Sequence, residues 1–261
     1  MKKITAFAFA AAVLLTAALC LSGCGSKKLN TLEKITKQGM ITAGVREDAR
    51  PFGYIDETGN YAGFDIDIAK FAAKKLTGSE NNVKFVSLTA AERIEAAASG
   101  RVDIVIAAMS NTPARQNFID FSAPYYTAGQ TAAVKKESRI YSFADLKNKT
   151  IAAPAGTTAK QNLQRTAAGA VIKEYKNYIE AFNALKNGGA DAVCADDGII
   201  AGFISQNSGY RVLNSRISSE YYSIGIQKTE DKALKNKLDL IIEEMNRTGL
   251  LLSLKKKWDL N

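Results

Sequence analysis

Val102-Asp103-Ile104-Val105-Ile106-Ala107-Ala108, then Met109-Ser110-Asn111-Thr112 and Arg115, is the stretch on which the fold turns. The first seven residues read as a buried strand. The next four are small and polar, and Arg115 to Ile119 reads as the start of a helix. A strand that ends in hydroxyls and an amide before a helix is the edge of an open α/β sheet, where ligands bind. The same alternation runs outward in both directions. Upstream, Leu29 to Gln38 reads as a helix and Met40 to Val45 as a strand. A turn at Asp56-Glu57-Thr58-Gly59-Asn60 precedes a helix that Asp65 can cap, with an apolar stripe through Ile66, Ile68, Ala69, Phe71, Ala72 and Leu76. Val83 to Val86 reads as a strand, and Thr89-Ala90-Ala91-Glu92 resembles a capping box opening a helix to Ser99.

Downstream the register changes near Tyr126. Gln130 to Val134 is extended, Thr150 to Pro154 a strand, Thr158 to Ala167 a helix. Ile179 to Lys186 reads as a helix and Ala190 to Ala195 as a strand. Tyr221 to Gln227 is extended again, and helices over Glu230–Met245 and Leu251–Trp258 close the chain. Strands alternating with helices imply mixed, mostly parallel sheets of βαβ units. Two extended crossings, near 127 and 222, imply one lobe inserted within another with a two-strand hinge. The expected division is 31–126 with 223–261 for lobe one and 127–222 for lobe two.

Bulk properties narrow the function. The 261 residues are 46% hydrophobic, enough for a sizeable core, and carry a formal charge of +9 spread along the chain apart from Lys255-Lys256-Lys257. An anionic lipid, cell wall or solute fits this charge better than nucleic acid does. There is no histidine, which excludes a Ser-His-Asp hydrolase and a His-rich zinc site. No Gly-rich phosphate loop with Lys-Ser/Thr is present, so the chain is not an ATPase. Neither a metal nor a cofactor is expected.

The N-terminus reads as an export leader. Lys2 and Lys3 precede an apolar run from Ile4 to Leu21, and Leu21-Ser22-Gly23-Cys24 follows. A cysteine after small residues resembles a bacterial lipobox. The reading is a signal peptide over 1–23, a lipidated tether over 24–30, and Cys24 diacylated as the new N-terminus at the extracytoplasmic membrane face. A plain transmembrane anchor is the alternative, which the ending at Gly23-Cys24-Gly25-Ser26 argues against. Cys20 is lost with the leader, and Cys194 in an apolar stretch reads as a small buried residue, so no disulfide framework is possible.

The residues at strand ends are the complement of a zwitterion: Arg46, then Ser110 and Arg115, then Gly156-Thr157-Thr158 at a helix start, then Asp196. Four motifs stand in order: Pro51-Phe52-Gly53-Tyr54 through Gly63-Phe64-Asp65-Ile66-Asp67-Ile68-Ala69; Thr112-Pro113-Ala114-Arg115 followed by Asp120-Phe121-Ser122-Ala123-Pro124-Tyr125-Tyr126; Gly156-Thr157-Thr158; and Asp191-Ala192-Val193 through Asp196. The chain resembles extracytoplasmic solute-binding proteins of the polar amino acid uptake family, solute-binding family 3, over essentially its whole mature length. The resemblance implies a two-lobe type II periplasmic binding fold, no enzymatic activity, and a free L-amino acid as ligand. It implies a monomer that closes on its ligand and delivers it to an ABC permease with its ATPase. The membrane would be reached through the lipid anchor alone, at the periplasmic or outer surface.

Roles follow from the same resemblance. Arg115 would grip the ligand α-carboxylate bidentately, as a lysine cannot. Ser110 would share that carboxylate, with Ala108 beside it at the strand end. Gly156, Thr157 and Thr158 would present backbone N–H groups, and the threonines could also cap the helix. Asp196 would take the α-ammonium, with Asp197 as its rival. Arg46 and Arg93 would read the ligand side chain, as in glutamate- and aspartate-binding members. Arg93 in a helix first turn is disfavoured by the dipole and so calls for a purpose. Phe52 and Tyr178 are possible walls. Ala49 and Ala90 stand where some relatives sandwich the ligand between aromatics, which argues against histidine, arginine or lysine as ligand. Arg46, Arg93 and Arg115 against Asp196 alone leave the pocket positive, so glutamate or aspartate is the expected ligand. Cysteine, cystine and glutamine stay open, as do a dehydratase acting through Asp196 and a sensory ligand-binding module.

Overall fold

The computed structural model describes residues 29–260; the leader, Cys24 and most of the tether lie outside them. Helix α1 (Thr31–Gln38) leads into β1 (Ile41–Val45), β2 (Asp48–Ala49), β3 (Gly53–Ile55), β4 (Tyr61–Ala62) and helix α2 (Phe64–Thr77). Then come β5 (Val83–Ser87), α3 (Arg93–Ala98), β6 (Ile104–Val105), α4 (Pro113–Gln116) and β7 (Ile119–Ala128). The chain continues through β8 (Gln130–Lys135), β9 (Thr150–Pro154), α5 (Ala159–Thr166), β10 (Val171–Tyr175), α6 (Tyr178–Lys186), β11 (Ala192–Asp196), α7 (Asp197–Ser205) and β12 (Tyr210–Val212). It ends with β13 (Glu220–Gln227), α8 (Ala233–Arg247) and α9 (Leu250–Lys257).

Two five-stranded sheets organise these elements, in the orders β5-β1-β6-β13-β7 and β10-β9-β11-β8-β12, beside a small sheet of β2-β3-β4. The fold is thus two-lobed and mixed. In the first large sheet β1 runs parallel to β5 and β6, while β13 is antiparallel to β6 and β7. In the second, β9 runs parallel to β10 and β11, and β8 is antiparallel to β11 and β12. The chain leaves the first sheet after Ala128 and returns at Glu220, which is Ala128's partner in the β7–β13 ladder. Apolar residues are buried around each sheet: Val105, Met109, Ile119 and Phe121 in the first lobe, Val134, Leu146, Ile151 and Leu163 in the second.

Several expectations are corrected. The strand at 102–108 is ladder-paired only over Ile104–Val105, because Ala108 adopts φ 46 and turns the chain. The helix placed at Arg115–Ile119 starts at Pro113 and stops at Gln116. Thr112 Oγ1 accepts the Arg115 N–H at 3.3 Å, and proline fits the first helical position, so the start moves forward. Ile119 instead opens β7. Asp65 does not cap α2. The Phe64 and Asp65 amides are taken by the carbonyls of Pro51 and Phe52, both at 2.9 Å, which frees the Asp65 side chain for another partner. Strands β2, β3, β4, β10 and β12 lie where no strand was expected; most are short or half-exposed, so the sequence carries little apolar signal there.

This backbone cap on α2 requires glycine at position 63. Gly63 has φ +133, and a Cβ there would lie 2.2 Å from the Phe52 carbonyl oxygen. Gly63→Ala is therefore expected to destabilise the fold by roughly 2–4 kcal/mol, read as a lower urea midpoint at an unchanged slope. A midpoint equal to the parent's would refute the cap.

Candidate functional site

The carboxyl ends of β1, β6, β9 and β11 and the start of β13 come together between the lobes. The loop after β6 is held from both sides. Asp65, fully buried, accepts the Ala108 N–H at 2.7 Å. Burial raises its carboxyl to about 7. Arg93, 4% exposed, donates Nη1 to the carbonyls of Ala107 and Ala108, both at 2.9 Å, and Nε to Ala90 at 3.0 Å. Its Nη2 reaches Gly156 of the other lobe at 3.2 Å. Burial, aided by Arg115 and Arg46, pushes Arg93 down to about 9. Four of its five N–H groups are thus committed to backbone carbonyls.

Arg115 also spans the lobes, donating Nη1 to Ser110 O at 2.7 Å and Nη2 to Gly156 O at 3.0 Å. Burial lowers its pKa, and the carboxylates of Glu220 and Asp196 counter that. Gly156 has φ +76, and a Cβ there would sit 2.5 Å from both N and Cα of Ala91. Backbone meets backbone at this point, which only glycine permits. The N–H groups of Gly156 and Thr158 have no backbone acceptor among the described residues and lie at the start of α5, where a helix offers donors to an anion. Thr158 does not cap α5 with its side chain; Thr157 Oγ1 accepts weakly from Ala159 N at 3.4 Å.

Asp196 ends β11 and is 5% exposed. Its Oδ2 accepts from the Tyr222 hydroxyl, and Oδ1 is buried with no hydrogen-bond partner among the described residues. Burial first, then the nearby Glu220 carboxylate, raises its carboxyl to about 6. Asp197 is committed elsewhere: it pairs with Arg216 at 2.5 Å and accepts from Gly198 N at 2.8 Å. Of the two rivals, Asp196 is the one with an open acceptor.

Arg46, 1% exposed, carries a partner the sequence reading did not count. Asp48 takes its Nε at 2.8 Å and its Nη2 at 2.7 Å, and Asp48 also accepts the Tyr178 N–H at 2.8 Å. Arg46 lies 5.4 Å from the Tyr178 ring, and its Nη1 is buried without a partner among the described residues. Tyr178 is 4% exposed, and burial raises its hydroxyl well above the usual range, with Asp196 adding to the shift. Phe52 packs edge-on against Phe64, Tyr126 and Tyr222 and is fully buried, so it backs the site from the core rather than lining it.

Glu220 was missed. Its carboxylate accepts from the Ser110 hydroxyl, from Thr158 Oγ1 at 2.8 Å and from Asn162 Nδ2 at 2.8 Å. The positive count inferred from sequence is accordingly corrected: Asp48 and Glu220 join Asp196 opposite the three arginines. The usable signal was topological. The start of an antiparallel strand lies at the same sheet edge as the ends of its parallel neighbours, and a search of strand ends alone passes over it. No group of His, Cys, Asp and Glu among the described residues could hold a metal.

Residues 41–261 match the family model of bacterial extracellular solute-binding proteins, family 3. The chain is 43% identical to a glutamine-binding protein of Geobacillus stearothermophilus, over 76% of this chain and 77% of that protein. It is 36% identical to the ABC transporter glutamine-binding protein GlnH of Bacillus subtilis, over 99% of this chain and 97% of that one. The glutamate/aspartate import solute-binding protein of Escherichia coli is 28% identical, over 84% and 76% of the two chains. Among solved structures, a cysteine-binding protein from Campylobacter jejuni superposes with a TM-score of 0.84 at 33% identity, covering 88% of this chain and 93% of that one.

The close approach at Gly156 gives a direct test of the interlobe geometry. Gly156→Ala should cost about 2 kcal/mol of stability and enlarge the radius of gyration in small-angle scattering. Scattering and melting identical to the parent would show that Gly156 and Ala91 do not meet.

Proposed function

The chain belongs to the bacterial extracellular solute-binding proteins of family 3, and we propose that it is the receptor of an ABC importer for a neutral amide amino acid, glutamine before glutamate. The observation that carries the choice is Asp48 on Arg46. A side-chain carboxylate needs a free cation, and Asp48 already neutralises Arg46 through two hydrogen bonds of 2.7 and 2.8 Å. Arg93 is occupied by backbone carbonyls. An acidic side chain would bury a charge facing Asp48, at a cost of several kcal/mol. Arg46 Nη1 remains a buried donor, suited to an amide oxygen. The two glutamine-binding relatives, at 43% and 36% identity, support the same reading.

The ligand's main chain is read by both lobes. Arg115 and Ser110 take the α-carboxylate with the N–H groups of Gly156, Thr157 and Thr158, and Asp196 Oδ1 takes the α-ammonium. Because Arg115 and Ser110 belong to one lobe and Thr158 and Asp196 to the other, ligand favours the closed state. That state is what a permease would distinguish from the open one. The family is extracytoplasmic; a lipid on Cys24 would keep the monomeric receptor at the membrane face, where the permease and its ATPase sit. No helix among the described residues is long and apolar enough to cross a membrane.

Calorimetric titration of the ligand-stripped protein with glutamine, glutamate, aspartate, cysteine, cystine and arginine tests the choice. Glutamine is expected to bind at least about a hundredfold tighter than glutamate, as a buried unpaired charge implies. Asp48→Asn should narrow that gap by strengthening glutamate. A parent that prefers glutamate would overturn the role given to Asp48.

Acid should weaken binding through Asp196. A carboxylate with its pKa raised to about 6 is mostly charged at pH 7 and mostly protonated at pH 5. Affinity is expected to fall about tenfold between those values, and an affinity flat from pH 7 to 5 would remove Asp196 from the ammonium seat.

A further inference from the structure

Glu220 is a half-buried acid that takes the hydroxyls of Ser110 and Thr158, two residues assigned above to the ligand's α-carboxylate. It starts β13, one of the two strands that join the lobes, opposite Ala128 in β7. Its carboxylate receives one hydroxyl from the first lobe, Ser110, and from the second lobe the Thr158 hydroxyl at 2.8 Å and the Asn162 amide at 2.8 Å. The second-lobe donors are fixed in turn. Gln130 Nε2 donates to Thr158 Oγ1 at 2.7 Å, Asn162 Nδ2 also donates to Gln130 Oε1 at 2.7 Å, and Arg165 holds Asn162 Oδ1. Of the anions that sustain the charge on Arg115, Glu220 contributes most. Ser110 and Thr158 both donate to this one side chain, and its charge acts on Arg115 as well.

A hydroxyl has one proton to give. The Ser110 proton goes to Glu220 in this structure, and a ligand carboxylate needs the same proton. The Thr158 proton is committed in the same way, so Thr158 can offer the ligand only its N–H. We propose that Glu220 is an internal stand-in for the ligand's α-carboxylate: it competes for the Ser110 hydroxyl and for the field of Arg115, and the affinity of the receptor is set by the displacement of Glu220 from Ser110. The inference rests on the amino-acid reading of the site. It adds a residue that opposes any ligand carrying an α-carboxylate, where Asp48 opposes only an acidic side chain. A receptor that must hand its cargo to a permease needs such an opposing bond, because it shortens the bound lifetime without changing which ligand is recognised.

The alternative is that Glu220 is a plain latch, bridging the lobes and aiding closure. The two roles have opposite signs. Glu220→Gln removes the charge and lets the amide donate to Ser110 Oγ, which frees the hydroxyl proton for the ligand. Glu220→Asp keeps the charge but shortens the reach by one methylene, so it loses Ser110 by distance alone. Both are titrated calorimetrically with L-glutamine and with L-glutaminol, the amino alcohol that lacks the α-carboxylate, in the parent and in Ser110→Ala.

Competition predicts that either variant binds L-glutamine about tenfold tighter than the parent, the scale of one charge-assisted hydrogen bond. The amino alcohol should change less than twofold, and the gain should shrink when Ser110 is already alanine. Equal or weaker binding of glutamine by both variants, with the parent binding normally, makes Glu220 a latch and overturns the proposal. An equal gain for the amino alcohol also overturns it, since the competitor would not then be a carboxylate. If no amino acid binds the parent or either variant, the amino-acid reading has failed first and the proposal falls with it.

Discussion

The site depends on one guanidinium. Arg93 is almost wholly buried and has no carboxylate partner in hydrogen-bond reach among the described residues; its charge is met by the carbonyl oxygens of Ala90, Ala107, Ala108 and Gly156. A buried cation is tolerated only when its donors are satisfied. Each carbonyl is therefore held where the charge needs it. Two of them flank the turn at Ala108, whose φ of 46 a non-glycine residue rarely adopts. The Ala108 amide is fastened by buried Asp65. The turn carries Ser110, whose carbonyl then fixes Arg115. The fourth carbonyl belongs to the other lobe, so the same charge that shapes the first half of the site also draws in the second. An arginine in the first turn of α3 works against the helix dipole, and its contacts with Ala107 and Ala108 are the reason it is placed there.

Much of this was legible in the sequence, for identifiable reasons. The alternation of apolar strands with amphipathic helices gave two α/β sheets, because core burial imposes periodicity on Val102–Ala108, Thr150–Pro154 and Ala190–Ala195. The strand-end rule led to Ser110, Arg115, Gly156 and Asp196, because in such sheets chain direction fixes the edge at which side chains emerge. Asp48 escaped because it reaches Arg46 across the bend at Glu47, at the start of β2, a strand of two residues that leaves no pattern in the sequence. Glu220 escaped because it emerges at the right edge from a strand running the opposite way. Phe52 was ambiguous in sequence because an aromatic beside a cleft and one behind it look alike; only the packing against Phe64, Tyr126 and Tyr222 separates them.

Electrostatics changed more than the fold did. A list of site cations read from sequence overstates the field, because acids that neutralise them arrive from other elements. Arg46 with Asp48 is a buried neutral pair, and its energy goes into holding Tyr178 N–H through the same carboxylate. Arg93 lies near Asp65, and Arg115 near Glu220 and Asp196. What remains for a ligand is one open acceptor at Asp196, one open donor at Arg46, and the amides at the start of α5. That is a dipolar site and not a cationic one. Selectivity in such a site comes from leaving a buried group unpaired when the wrong ligand enters, a penalty larger than the gain from the right one.

The lobes share an apolar cluster in which Phe52 and Leu260 lie close to Gly198, and at the cleft they also meet through polar groups. Gly156 O with Arg93 and Arg115, Glu220 with Ser110 and Thr158, and Asp196 with Tyr222 are all internal hydrogen bonds at the cleft. A ligand entering there would add bonds at Asp196 Oδ1 and Arg46 Nη1 but would have to exchange the one at Ser110, so part of its gain is offset by a bond already made. Bonds it leaves intact, such as those of Arg93, position the site at no cost to binding. Bonds it must replace set the energy against which it competes. Ser110 stands at the boundary between the two classes, with a carbonyl that orders Arg115 and a hydroxyl given to Glu220. A site of this kind is tuned most finely by the residues it must release, and these are the ones that a catalogue of favourable contacts leaves out.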